Sequence, residues 1–142
     1  MAPFPDDALN NQKRPTMLPN VDTEKRTILI YSPDLNFCFS LSMLFQDRYN
    51  VVTTTNPGML ESFVDHYAAD LVIVDALPTE KMIERLAGLK SRDQRLPILM
   101  LYVCGPRDTA LDALARQHVD SVMYKPFDVA DMARRIAELL PR

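Results

Sequence analysis

A short apolar run followed by an amphipathic segment of helix length recurs five times between Thr27 and Leu140. That alternation constrains the chain more than any other feature. A strand covered on both faces reads as an unbroken apolar run, and the helices that cover it repeat their apolar residues at three- and four-residue spacing. Strands are expected at Thr27–Tyr31, Asn50–Thr54, Leu71–Asp75, Ile98–Val103 and Ser121–Tyr124. Five βα units with right-handed crossovers build an α/β fold of three layers around a parallel sheet.

The helix signals fall between these runs. Asp34 can cap a first helix reaching about Asp47, with Cys38, Leu41, Leu44 and Phe45 on its inner face. Asn56-Pro57 supplies a cap and a first-turn proline for a second helix burying Leu60, Phe63, Val64 and Tyr67. A third follows Pro78 and Thr79 and places Met82, Ile83, Leu86 and Leu89 at helical spacing. The fourth, from about Arg107 to Gln117, has only Leu111, Leu114 and alanines to anchor it. The last is capped by Asp128, stapled by Phe127 and Met132, and striped by Val129, Met132, Ala133, Ile136, Leu139 and Leu140.

Residues 1–24 read differently. Pro3, Pro5, Pro15 and Pro19 stand among polar residues without apolar periodicity, so the segment cannot bury enough surface to offset its ordering entropy. A flexible arm over 1–24 and one domain over 25–142 are expected, with a docking peptide as the alternative use of the arm. No internal repeat or coiled coil is seen. The composition, 47% hydrophobic and 25% charged, is that of a globular domain. A net charge of -3, without a basic stripe on any helix, argues against direct nucleic-acid binding. No apolar run approaches a membrane span and no signal-peptide core opens the sequence, so a cytoplasmic protein without membrane contact is expected. Cys38 and Cys104 form no metal or disulfide pattern and are read as reduced thiols.

In open parallel sheets, ligands bind beyond the carboxyl ends of the strands. That rule selects Ser32, Pro33 and Asp34, then Asp75, then Tyr102 to Cys104, then Lys125-Pro126. Asp75 directly follows Leu71-Val72-Ile73-Val74, where a carboxylate loses hydration unless something pairs with it or uses it. Lys125 is the natural partner, either as a plain ion pair closing the sheet or as part of a working site.

These residues resemble a family. Ala69-Asp70-Leu71-Val72-Ile73-Val74-Asp75 is similar to the strand ending in the phosphoacceptor aspartate of response-regulator receiver domains, and Tyr124-Lys125-Pro126-Phe127 to their Lys-Pro-Phe signature. The likeness covers about residues 26–140. It implies a flavodoxin-like doubly wound sandwich with sheet order 2-1-3-4-5. It also implies phosphoryl transfer to Asp75 from a histidine kinase or a small phosphodonor, in which catalysis is positioning and charge neutralisation by a divalent metal.

The departures from that pattern are specific. The family's metal-binding acid pair aligns with Ser32 and Pro33, and a hard cation such as Mg²⁺ wants carboxylates. Asp34 stands one residue late, where capping the first helix is favoured over swinging in as a ligand. The family's switch hydroxyl and inward-turning aromatic align with Tyr102 and Val122. The Tyr102 hydroxyl can bond Asp75 or Lys125, or its ring can simply cover the core. Pro78 follows the acceptor by three residues where the family has four, which shortens the loop and misplaces its carbonyl ligand. Leu77 and Cys104 flank the acceptor.

The resulting expectation is a pseudo-receiver: a non-enzymatic interaction module, free of metal and cofactor, that meets a histidine kinase or an output protein. Its contact surface is expected on the fourth helix, fifth strand and fifth helix, where homodimerisation is also plausible. The alternative is a working phosphoacceptor at Asp75 that uses Mg²⁺ in a two-component system. A flavin or other phosphate-bearing cofactor is disfavoured, because Ser32-Pro33-Asp34-Leu35-Asn36 lacks the glycines and hydroxyls of a phosphate cradle.

Overall fold

The computed structural model describes residues 24–140. The element order is β1 (Thr27–Tyr31), α1 (Leu35–Phe45), β2 (Asn50–Thr54), a 3₁₀ turn (Pro57–Met59), α2 (Leu60–Tyr67), β3 (Leu71–Asp75), α3 (Glu80–Arg92), β4 (Ile98–Tyr102), α4 (Thr109–His118), β5 (Ser121–Tyr124) and α5 (Val129–Leu139). All four strand pairings are parallel, in the order β2-β1-β3-β4-β5. The expected doubly wound architecture and strand order are therefore present. The arm assigned to 1–24 lies outside the described residues, apart from Glu24.

The side-chain period of two divides each strand between two cores. Leu29, Val52, Val72, Val74, Met100 and Val122 point to the layer of α2, α3 and α4, where they meet Leu60, Ile83, Leu86 and Ala115. Ile28, Ile30, Leu71, Ile73, Leu99 and Met123 point to the layer of α1 and α5, against Leu41, Phe45, Met132 and Ile136. Burying each such aliphatic side chain contributes about 1.5–3 kcal/mol, so the two cores dominate the fold's stability.

The caps work as the sequence requires. The Asp34 carboxylate accepts from the Asn36 and Phe37 amides, the Thr79 hydroxyl from Met82, and the Asp128 carboxylate from Ala130. Several expectations need correction. Leu44 and Val129 are exposed, because each helix rests on a narrower stripe than its apolar content offers: Cys38, Leu41 and Phe45 in α1, and Met132 and Ile136 in α5. α1 ends at Phe45, short of Asp47, and α4 begins at Thr109 instead of Arg107. The Asn56 cap opens a 3₁₀ turn before α2, in which Leu60 alone is fully buried. β4 stops at Tyr102, leaving Val103 exposed past the sheet.

Candidate functional site

The period that splits the cores also builds the site. Ser32 lies two residues past Ile30, Asp75 two past Ile73 and Lys125 two past Met123, so all three project on the α1/α5 side beyond the strand ends. They meet there. The Lys125 ammonium donates to Asp75 Oδ1 at 2.7 Å, and the Ser32 hydroxyl donates to Oδ2 at 2.7 Å. Ser32 is wholly buried and Asp75 is 8% exposed. Ser32 Oγ in turn accepts from the Asp34 amide at 3.0 Å, which fixes the hydroxyl proton toward the carboxylate. The Lys125 ammonium also lies 5.2 Å from the centre of the Phe37 ring, a cation–π contact from α1, and the Lys125–Pro126 bond is cis.

Pro33 is exposed and offers no donor or acceptor side chain. Asp34 faces its own helix: its Oδ1 takes the Asn36 and Phe37 amides at 2.9 and 3.4 Å. Those bonds also occupy the first-turn amides with which a helix N-terminus holds phosphate. The Leu77 carbonyl accepts from Thr79 N at 2.8 Å within the short loop before α3. The donor set at Asp75 is thus one carboxylate, one hydroxyl already donating, and one ammonium. A hard divalent cation needs several oxygen ligands, with carboxylates among them, so these residues do not fit it. Among the described residues, no cluster of three or more His, Cys, Asp or Glu is arranged to hold a metal.

The Tyr102 hydroxyl does not reach Asp75 or Lys125, although the Tyr102 backbone carbonyl accepts from the Lys125 amide at 3.0 Å. Tyr102 lies two residues past Met100, on the opposite face of the sheet, and its hydroxyl donates to Asp112 of α4 at 2.6 Å. Tyr124 of β5 donates to the same oxygen at 2.8 Å, and the Tyr102 and Tyr124 rings meet edge to face at 5.9 Å. Arg116 completes the cluster, donating to Asp112 Oδ2 at 3.2 Å and to the Tyr124 oxygen at 2.7 Å. The Tyr102 hydrogen bond, followed by those from Tyr124 and Arg116, holds the Asp112 carboxyl below its usual range. Burial, then the Asp112 bond, pushes the Tyr102 phenol well above its usual range. Val122 is core beneath this cluster.

Sequence reasoning missed Asp112, Arg116 and Tyr124. Two signals were available: the i,i+4 spacing of Asp112 and Arg116, and the strand parity that sets Tyr102 beside Tyr124. Cys38 is buried under β1 and Cys104 lies at the end of β4; burial raises both thiols, which disfavours the reactive thiolate.

The fold defines a class before any comparison: a (βα)₅ sandwich with aspartate and lysine paired over the carboxyl ends of β3 and β5. No protein-family model and no curated protein matches the sequence. Solved structures do. A two-component response regulator from Clostridium difficile matches with TM-score 0.69 and 16% identity over 83% of this chain and 98% of that one. The chemotaxis protein CheY4 of Vibrio cholerae matches with TM-score 0.66 and 18% identity over 81% and 98%. A Burkholderia pseudomallei protein described as pilus assembly-related matches with TM-score 0.66 and 23% identity over 87% and 97%. The chain has the fold of response-regulator receiver domains.

Proposed function

We propose that this chain is an atypical receiver that transmits signals by binding other proteins, without metal-assisted phosphorylation of Asp75. One observation carries the reading: both oxygens of Asp75 are occupied by donors from the chain itself, Ser32 and Lys125. Phosphoryl transfer needs a free carboxylate oxygen as nucleophile and cations around the phosphoryl oxygens. Here the nucleophile must first shed the Ser32 hydroxyl, and Lys125 is the one cation bonded to it.

The module is non-enzymatic and cytoplasmic on this reading, and its partner is a histidine kinase or an output protein. The contact face is that of α4, β5 and α5. There Asp112 ties α4 to both β4 and β5, replacing a movable switch with a fixed polar clamp. No helix among the described residues is long and apolar enough to cross a membrane. The second reading, a phosphoacceptor in a two-component system, is favoured by the retained Asp75–Lys125 pair.

Intact-mass measurement after incubation with acetyl phosphate and Mg²⁺ separates the two. The expected spectrum shows no adduct. A single phosphoryl adduct on the parent that disappears in Asp75→Asn would overturn the proposal and establish the second reading.

A further inference from the structure

α1 is the one α-helix among the described residues that carries no charged side chain. Its inner face is filled by Cys38, Leu41 and Phe45. At about 100° per residue, Leu35, Phe39 and Met43 form a second stripe on the outer side. They are 69%, 64% and 57% exposed, where the outer face of a surface helix is ordinarily polar.

We propose that a second copy of this chain covers that stripe, with the two α1 helices antiparallel across a twofold axis beside Phe39. A twofold interface must be complementary to itself. Leu35 and Met43 lie equally far on either side of Phe39, so reversal sets Leu35 against Met43 and Phe39 against itself, with no charged side chain within the paired stripe. The ends match as well. Asp34 is exposed at the start of the helix, while past its other end exposed Asp47 is outweighed by exposed Arg48 together with Lys25, leaving that end net basic. The Lys25 ammonium lies 3.4 Å from the Gln46 carbonyl. Antiparallel pairing brings the acidic end of one helix to the basic end of the other and opposes the two helix dipoles. Parallel pairing would stack like on like.

The area sets the strength. Each of the three side chains offers on the order of 100 Å² of apolar surface, about 600 Å² for the pair, and a polar rim of Asn36, Ser40 and Gln46 raises this toward ~1,000 Å². That is the low end for a specific interface, so pairing should be concentration-dependent with a dissociation constant of about 100 μM. The face of α4, β5 and α5 offers less: of its large apolar side chains only Tyr124 and Val129 are exposed, and the Tyr124 hydroxyl is held in the Asp112 cluster.

Sedimentation equilibrium of the full chain, from roughly 5 to 500 μM, tests the pairing. The parent is expected to self-associate, and Phe39→Glu to stay monomeric with an unchanged circular dichroism spectrum. In a Cys104→Ser background, Phe39→Cys is expected to oxidise to a covalent dimer, whereas Ser91→Cys on α3 is not. A parent that stays monomeric overturns the proposal. So does equal association of Phe39→Glu, equal cross-linking at positions 39 and 91, or binding to anionic lipid vesicles without self-association. Asp75→Asn should associate like the parent, which separates this inference from the phosphorylation question.

Discussion

Replacing Asp75 by asparagine removes a charge and keeps the volume, and the sign of its effect on stability reports what kind of site this is. Where several carboxylates crowd together to hold a cation, neutralising one relieves repulsion and stabilises the fold. Here Asp75 stands between a hydroxyl and an ammonium, both at 2.7 Å. A hydrogen bond to a charged group contributes about 1.5–3 kcal/mol, and breaking a fully buried ion pair costs about 3–5. The Lys125 side chain is 33% exposed against 10% for Asp75, so water recovers part of the loss. About 2 kcal/mol of destabilisation is expected, a fall in Tm of roughly 8 °C for a domain of this size. Urea unfolding of parent, Asp75→Asn, Lys125→Met and the double variant checks it. The double variant should be less destabilised than the sum of the singles by about 1–2 kcal/mol, because both changes break the same pair. If Asp75→Asn raises Tm, or the two changes add without coupling, the pairing does not hold the site together.

Mg²⁺ at about 10 mM should leave Tm within roughly 1 °C, as expected of a site whose dissociation constant for it is about 20 mM or weaker; a larger rise in a thermal melt would point to a bound cation. Asp112→Ala should cost about 1–3 kcal/mol in urea, since it strands the buried Tyr102 hydroxyl. The Asp112 carboxyl is held below its usual 3.8, so its contribution is present above pH 3.8 and lost as pH falls through its folded value. Asp112→Asn should therefore flatten the acid limb of a stability–pH profile. Tyr102 is raised above 10.0, so its contribution is whole below pH 10.0 and lost as pH rises beyond it; Tyr102→Phe should remove that alkaline loss. Asp34→Ala should lower stability by about 1 kcal/mol through loss of the α1 cap, without creating an adduct in the phosphodonor assay.

The sequence by itself determined the architecture. Strands buried on both faces must be apolar along their whole length, and Asp34, Thr79 and Asp128 cap helices through bonds two or three residues away, so both signals are local and survive in one dimension. Ser32, Asp75 and Lys125 were legible for the same reason, since each follows an apolar run at a strand's carboxyl end. What only the tertiary structure decided is which of these groups meet. Tyr102 and Asp75 end neighbouring strands, yet they stand on opposite faces of the sheet, because a side chain's face depends on its distance from the strand's core residues, counted in twos. That parity sends the Tyr102 hydroxyl to Asp112 and leaves Ser32 to close the second oxygen of Asp75. The exposed stripe of α1 was hidden likewise. An apolar helix in sequence does not say how much of its surface the sheet will cover, and here the sheet covers one side only.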